Sequence, residues 1–319
     1  MPESLNPMAM GDTAAQHAKQ INIIKDLANE KPLGGPGNDG RVRLGIGFDT
    51  MYYIPLEIAR DMLDFAVEHD MPLTVHDVPR YNLPALHHLR DQNLPTHKVT
   101  LSHTCDPTPE DIEFVKAKNI GIVSTPESEM AMSHGHPSGV QFLRADCRTG
   151  LVVDSPAISS GDLFTQMRLA LQEFRMRQNA TYHQRGKLPD MIQARTDEVL
   201  YMATLGGAHA IHMESEIGSL EVGKFADITL IRTDGPSMVA SVDYSAALVT
   251  HASAADVESV MVNGEWVKKN GKLLKVDWDE LKSQLQNGRA QLEKKWEGID
   301  WDWNKDELKD AWYLRDVLE

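Results

Sequence analysis

The sequence predicts an α/β fold: a parallel sheet of strand–helix units, then a smaller antiparallel β region, then C-terminal helices. Three observations predict it. Short, near-continuously apolar runs alternate with longer stretches of helical spacing, the pattern of a sheet covered on both faces by crossover helices. Two of those runs, Leu73-Thr74-Val75-His76 and Val99-Thr100-Leu101-Ser102-His103, end in histidine, and a third, Leu151-Val152-Val153-Asp154, ends in aspartate. After about residue 195 the pattern changes, and two Asn-Gly pairs follow β runs, the strongest short-range hairpin signal.

In chain order, residues 1–11 read as loop. Residues 12–30 have helical spacing, with Ile21, Ile24 and Leu27 on one face and Asp12 as N-cap. Residues 31–40 are a glycine- and proline-rich connection. Strands are expected at 42–47, 73–76, 99–103, 120–124 and 151–154. Helices are expected at 55–68, striped by Ile58, Met62 and Phe65, at 83–91, at 140–145 and at 160–179. Thr108-Pro109-Glu110-Asp111 opens another helix with a hydroxyl cap, a proline and first-turn acids. Residues 196–205 are helical and continue toward Ile211. A strand at 226–231 and a hairpin of 257–262 with 265–269 about Asn263-Gly264 form the antiparallel part. Residues 277–319 are amphipathic and charged, with Leu281, Leu285 and four tryptophans from Trp296 onward, and are expected to pack on the body. The implied division is 12–212, 213–275 and 276–319.

Asp and Glu number 47 against 32 Lys and Arg, a net charge of -15. That balance argues against a nucleic-acid or anionic-membrane partner, since both are held by basic patches. No uncharged apolar run approaches the roughly 20 residues that span a bilayer. The first residues contain no apolar segment of a secretory leader. Two cysteines, Cys105 and Cys147, give no disulfide framework, and a cytoplasmic location is the expectation.

Two histidines and an aspartate on successive strand ends are the material of a metal site. A carboxylate closing an apolar run is costly unless it is paired or ligating. A structural histidine is the plainer alternative for His76 and for His103. Cys105, two residues past His103, has no base arranged to activate it. Gly206-Gly207 is a backbone device, because no strand precedes it and no Lys-Ser/Thr follows.

Longer motifs resemble the amidohydrolase superfamily, in its cytosine-deaminase-like and triazine-hydrolase-like branch. They are Ala203-Thr204-Leu205-Gly206-Gly207-Ala208, the run from Ile217-Gly218-Ser219-Leu220 to Asp227-Ile228, and the hairpin about Val262-Asn263-Gly264-Glu265-Trp266. Leu101-Ser102-His103-Thr104 and Pro126-x-Ser128-x-Met130 belong to the same resemblance. It covers about residues 12–275. It implies a TIM-type (β/α) barrel of the metal-dependent hydrolase type, incomplete at its N-terminus, with a small β-sandwich remnant and C-terminal helices. It implies one divalent metal ion, zinc first and iron second, held by His76 and Asp154, with His103 and Asp154 as catalytic residues. His103, Glu129, His134 and His136 would bind substrate.

The family's first-strand His-x-His pair has no counterpart here, which leaves the metal's occupancy open. Deaminating members carry a glutamate three residues after the His76 position, where this chain has Pro79. The implied activity is hydrolysis of a non-peptide carbon–nitrogen bond in a small cyclic molecule by metal-activated water. Two alternatives stand beside it: lyase or isomerase chemistry on the same barrel, and a truncated, inactive member of the family. The incomplete barrel edge is expected either to make the chain poorly soluble or to be covered by a partner or by a second copy of the chain.

Overall fold

A computed structural model of the chain describes residues 13–30, 42–49 and 51–299. Five strands form an all-parallel sheet in simple chain order: β1 (Ile46–Gly47), β2 (Leu73–Asp77), β3 (Val99–His103), β4 (Gly121–Ser124) and β5 (Arg148–Leu151). Helix α1 (Thr13–Glu30) precedes β1. The crossovers are α2 (Leu56–Glu68), α3 (Ala85–Asp91), α4 (Pro109–Ala117), and the pair α5 (Pro126–Ala131) and α6 (Gly139–Arg144). Helices α7 (Leu163–His183), α8 (Thr196–Met202) and α9 (Leu205–Ala210) follow β5.

Burial explains the strand pattern. In β2, Leu73, Val75 and Asp77 are buried while Thr74 and His76 are exposed. The apolar side of the sheet joins Leu73, Val75, Val99, Leu101 and Ile122 to Met62, Leu63 and Leu89 of the helices in one core. Of the buried positions of α2, Ala59, Met62, Leu63 and Ala66 fall at i, i+3, i+4 and i+7, with Phe65 beside them. Thr108 caps α4 in a full capping box: its hydroxyl accepts from the Asp111 N–H, and the Asp111 side chain accepts from the Thr108 N–H.

A second core, including Leu151, Met167, Leu171, Phe174, Val199 and Met202, joins α7 and α8 to the end of β5. Helix α9 lies almost on the backbone of β4 and β5. A Cβ at Gly121 would come within 1.8 Å of the Ala210 carbonyl oxygen, and one at Gly150 within 2.7 Å of the Gly207 Cα. Glycine at these strand positions is what lets the helix approach, so Gly206-Gly207 is indeed a packing device.

The chain divides into two compact units, residues 1–224 with 234–254, and 225–233 with 255–319. The first contains the parallel sheet and also α10 (Tyr244–Thr250), which the sequence reading did not anticipate. The second contains β6 (Ile228–Ile231), β7 (Val257–Val262), β8 (Glu265–Lys269) and β9 (Lys272–Leu273), an antiparallel sheet in that order, and α11 (Trp278–Trp296). These boundaries differ from the expected divisions at 212 and 275. Among the described residues the β part is one sheet and not a two-sheet sandwich.

Other expectations change in detail. The Pro126-x-Ser128-x-Met130 motif, given no element from the sequence, lies in a helix, because Pro126 starts a turn whose Glu129 N–H returns to the Thr125 carbonyl. The helix expected over 196–211 breaks at Ala203 and Thr204, where α9 turns onto the sheet. No side chain of α11 is buried, so its expected packing is not found; Trp301, Trp303 and Trp312 lie outside the described residues, as does Asp12. Among the described residues no helix is long and apolar enough to cross a membrane.

Candidate active site

The C-terminal ends of β1 to β5 and the loops after them gather four of the expected residues. His76 leaves β2 with its Nδ1 2.8 Å from Asp49 Oδ1, and the same oxygen accepts the His76 N–H at 2.9 Å. The Tyr52 hydroxyl donates to the His76 carbonyl. A carboxylate on Nδ1 fixes the ring's orientation and leaves Nε2 as the outward donor atom, the arrangement behind many metal-binding histidines. The bond to Asp49 raises the His76 pKa, against a smaller opposing effect of burial, and the Asp154 charge adds to the rise.

His103 is buried and lies nearly parallel to His76, with ring centroids 5.3 Å apart. In the sheet register His76 pairs with Ser102, and His103 with Asp77. Regular strand alternation would therefore turn His103 to the other face. His103 and Thr104 instead adopt left-handed backbone, φ 81° and 38°, and this breaks the alternation and brings the ring beside His76. Such conformations cost about 1–3 kcal/mol each for residues other than glycine and cluster at functional sites. His103 Nδ1 is 2.8 Å from Thr125 Oγ1.

His134, in the loop after α5, sets its ring edge-on to His103 at 4.6 Å and to Tyr81 at 4.9 Å. Burial, together with the nearby His103 and His76, pushes its pKa down to about 4, against a smaller opposing effect of Asp154. Its Nδ1 is buried without a hydrogen-bond partner. Asp154 lies three residues beyond β5, exposed and in left-handed backbone at φ 69°. It is not on the strand as expected, yet its charge reaches both His76 and His134.

Two expected substrate contacts are placed otherwise. Glu129 is fully buried, accepting from Ser124 Oγ at 2.9 Å and the Thr125 N–H at 2.7 Å, with His103 Nδ1 3.8 Å away. It braces the Thr125–His103 pair from behind and presents no free oxygen to a ligand. His136 is exposed, with Nδ1 3.0 Å from Glu173 on α7, and does not join the stacked imidazoles. The sequence reading missed Asp49, Thr125 and Tyr81 as partners of the histidines. It also missed Asp77, whose buried carboxyl accepts from the Leu86 N–H and is pushed up to about 6 by burial. The available signal was position, since Asp49 and Thr125 follow the C-terminal ends of β1 and β4, at the same end of the sheet where β2 and β3 carry His76 and His103. Burial pushes the Cys105 thiol up, away from thiolate character.

The model of the amidohydrolase family matches residues 25–267. The chain belongs to the amidohydrolase family. This amidohydrolase is 25% identical over 279 residues to a 5-methylthioadenosine/S-adenosylhomocysteine deaminase of Caldanaerobacter subterraneus, covering 84% of this chain and 62% of that protein. It is 26% identical over 301 residues to a 5'-deoxyadenosine deaminase of Methanobrevibacter smithii, covering 89% and 65%. Among solved structures it is similar to an atrazine chlorohydrolase of Arthrobacter aurescens complexed with zinc, at TM-score 0.72 and 22% identity, covering 85% of this chain and 60% of that one. An adenosine deaminase from Xanthomonas campestris with bound zinc gives TM-score 0.71 and 20% identity, covering 87% and 62%. The chain thus spans about three-fifths of the length of the relatives it matches.

For a metal ion the fit is to part of a shell. His76 offers an Nε2 already oriented by Asp49, and Asp154 an exposed carboxylate. Among the described residues no three His, Cys, Asp or Glu side chains are placed to hold one ion, whereas a catalytic zinc takes three protein ligands. These two residues therefore account for two donors.

Proposed function

We propose that this amidohydrolase hydrolyses the exocyclic carbon–nitrogen bond of an aminated heterocycle, a purine nucleoside or a triazine, with His76 and Asp154 giving two donors to one divalent ion, zinc before iron. The observation that carries the reading is the stacked pair His76 and His103, each held at Nδ1 by an oxygen, from Asp49 and Thr125 respectively. The names of the deaminase and atrazine chlorohydrolase relatives support the substrate class.

A bound divalent ion supplies acidification of a water. The side chains supply the rest. Thr125 and Glu129 hold His103 so that its Nε2 is free to bond the attacking oxygen or the ring nitrogen next to the reacting carbon. Asp154 takes the proton as the carbon–oxygen bond forms, and returns it to the nitrogen as the carbon–nitrogen bond breaks and ammonia leaves. Pro79 stands where deaminating relatives are expected to carry an acid, so His103 and Asp154 carry the proton transfers without it.

The test is ammonia release from adenosine, 5'-methylthioadenosine, 5'-deoxyadenosine and an aminotriazine by protein supplied with zinc. Release from at least one is expected, with losses of roughly a hundredfold or more in His103→Ala and Asp154→Asn. No release from any, or unchanged release in both variants, overturns the reading.

A further inference from the structure

At the N-terminal ends of β3 and β4, away from the histidine cluster, lies a half-open cavity of about 310 Å³ lined by Thr96, His97, Lys98, Lys118, Asn119 and His212. Its wall is rich in hydrogen-bond donors. Three carboxylates act on it: Glu214 on His212, Glu216, itself paired with Arg43, on Lys98, and Asp70, which is shared, with Lys98 Nζ at 2.6 Å from Oδ2 and His97 Nε2 at 2.9 Å from Oδ1. No carboxylate among the described residues pairs with Lys118, so the wall keeps positive charge. Neighbouring Arg148 is matched by Glu214 at 2.8 Å. Asn119 gives its side-chain oxygen to Arg148 Nε at 2.7 Å, which leaves its NH2 group as a donor.

His212 supplies the second observation. It sits in left-handed backbone at φ 58°, and its Nε2 is buried without a hydrogen-bond partner. A buried polar atom without a partner costs about 1–3 kcal/mol, and an acceptor-rich ligand in the cavity removes that cost. Burial and the surrounding Arg148, Lys98 and His97 hold the ring uncharged, down to about 4, against a smaller opposing effect of Glu214. An anion beside it reverses that balance.

We propose that this cavity binds a phosphate group, free or as the ester of a small molecule, through Lys118, Lys98, Asn119 and His212. Lys118, Lys98, Asn119 and His212 line one space; two ammonium groups, an amide and an imidazole are groups that suit a tetrahedral oxyanion with several acceptor oxygens, and the volume leaves room for the rest of a small ester. The site is separate from the proposed hydrolytic site and does not depend on it.

The experiment is isothermal titration of the full chain at fixed ionic strength with inorganic phosphate, adenosine 5'-monophosphate and adenosine. Saturable binding of inorganic phosphate is expected. It should weaken roughly tenfold in Lys118→Ala, the value of one charge-assisted hydrogen bond, and similarly in His212→Gln, with Lys118→Arg restoring most of it. Lys118 is exposed, so its substitution leaves the fold intact. Tighter binding of the monophosphate than of inorganic phosphate assigns an ester, and equal binding the free anion. Adenosine alone reports on the histidine cluster and serves as the control for it. The absence of saturable binding by both phosphates, or affinities unchanged in Lys118→Ala and His212→Gln, overturns the proposal.

Discussion

Two histidines of the site titrate with opposite consequences. The folded pKa of His76 is raised by Asp49, so its contribution to stability is full below the unfolded value of about 6.5 and fades as pH rises through the raised folded value. Burial pushes Asp49 up, but the bonds from the His76 ring and N–H outweigh it and the net shift is downward. Its contribution therefore holds above the unfolded value of about 3.9 and is lost as pH falls through the depressed one. Asp49→Asn is expected to lower the His76 pKa, read by NMR of the ring protons, and to cost more stability near pH 5.5 than near pH 8; an unmoved His76 titration refutes the pairing. His134 runs the other way. It stays uncharged down to about pH 4 in the fold, whereas the unfolded chain takes up the proton near 6.5, so its burial costs stability as pH falls across that interval. His134→Gln is expected to flatten the acid limb of a pH–stability curve, and an unchanged limb counts against the burial. At this scale the sequence showed His76 and His103, because a polar residue closing an apolar run is conspicuous. It could not show that Asp49 and Thr125 hold them, because those bonds join residues 27 and 22 positions apart.

Local chemistry and close packing set the elements, and they were unequally legible. The start of α4 was readable because all of its signals, Thr108, Pro109 and Asp111, lie within four residues. The break between α8 and α9 was not, because it is imposed by the sheet that α9 lies against. Helix α10, residues 244–250, gave too short a periodic run to be separated from loop. Two substitutions contrast the two kinds of control. Thr108→Ala removes a side-chain cap and is expected to cost about 1 kcal/mol, seen as a lower urea midpoint with an unchanged slope. Gly121→Ala places a methyl against the Ala210 carbonyl, a backbone atom that cannot swing away, and is expected to cost about 3 kcal/mol or more. A Gly121→Ala midpoint equal to that of wild type would show that α9 does not pack on β4 as described.

The whole chain is built unevenly. The first unit contains every buried apolar side chain among the described residues, from Ile21 to Ala252. In the second unit the buried residues are polar, Asp256 and Ser259, while Leu230, Leu273, Leu274, Trp278, Leu285 and Leu292 are substantially exposed. A four-stranded antiparallel sheet with so little buried apolar surface has little to set against the conformational entropy of ordering it. The sequence showed the change of character at this point through its Asn-Gly hairpins, but not the difference in burial, which depends on which faces find a partner. The described tryptophans, Trp266, Trp278 and Trp296, all lie in the second unit, so in a variant that keeps only these three, with Trp301, Trp303 and Trp312 changed to Phe, tryptophan fluorescence reports on that unit. Far-ultraviolet circular dichroism is dominated by the helices of the first. In a denaturant titration the fluorescence change is therefore expected at lower concentration than the loss of ellipticity. Removing the cap of α4 with Thr108→Ala should shift the second transition and leave the first in place. Coincident transitions that move together in that variant would mean that the two units fold as one cooperative body.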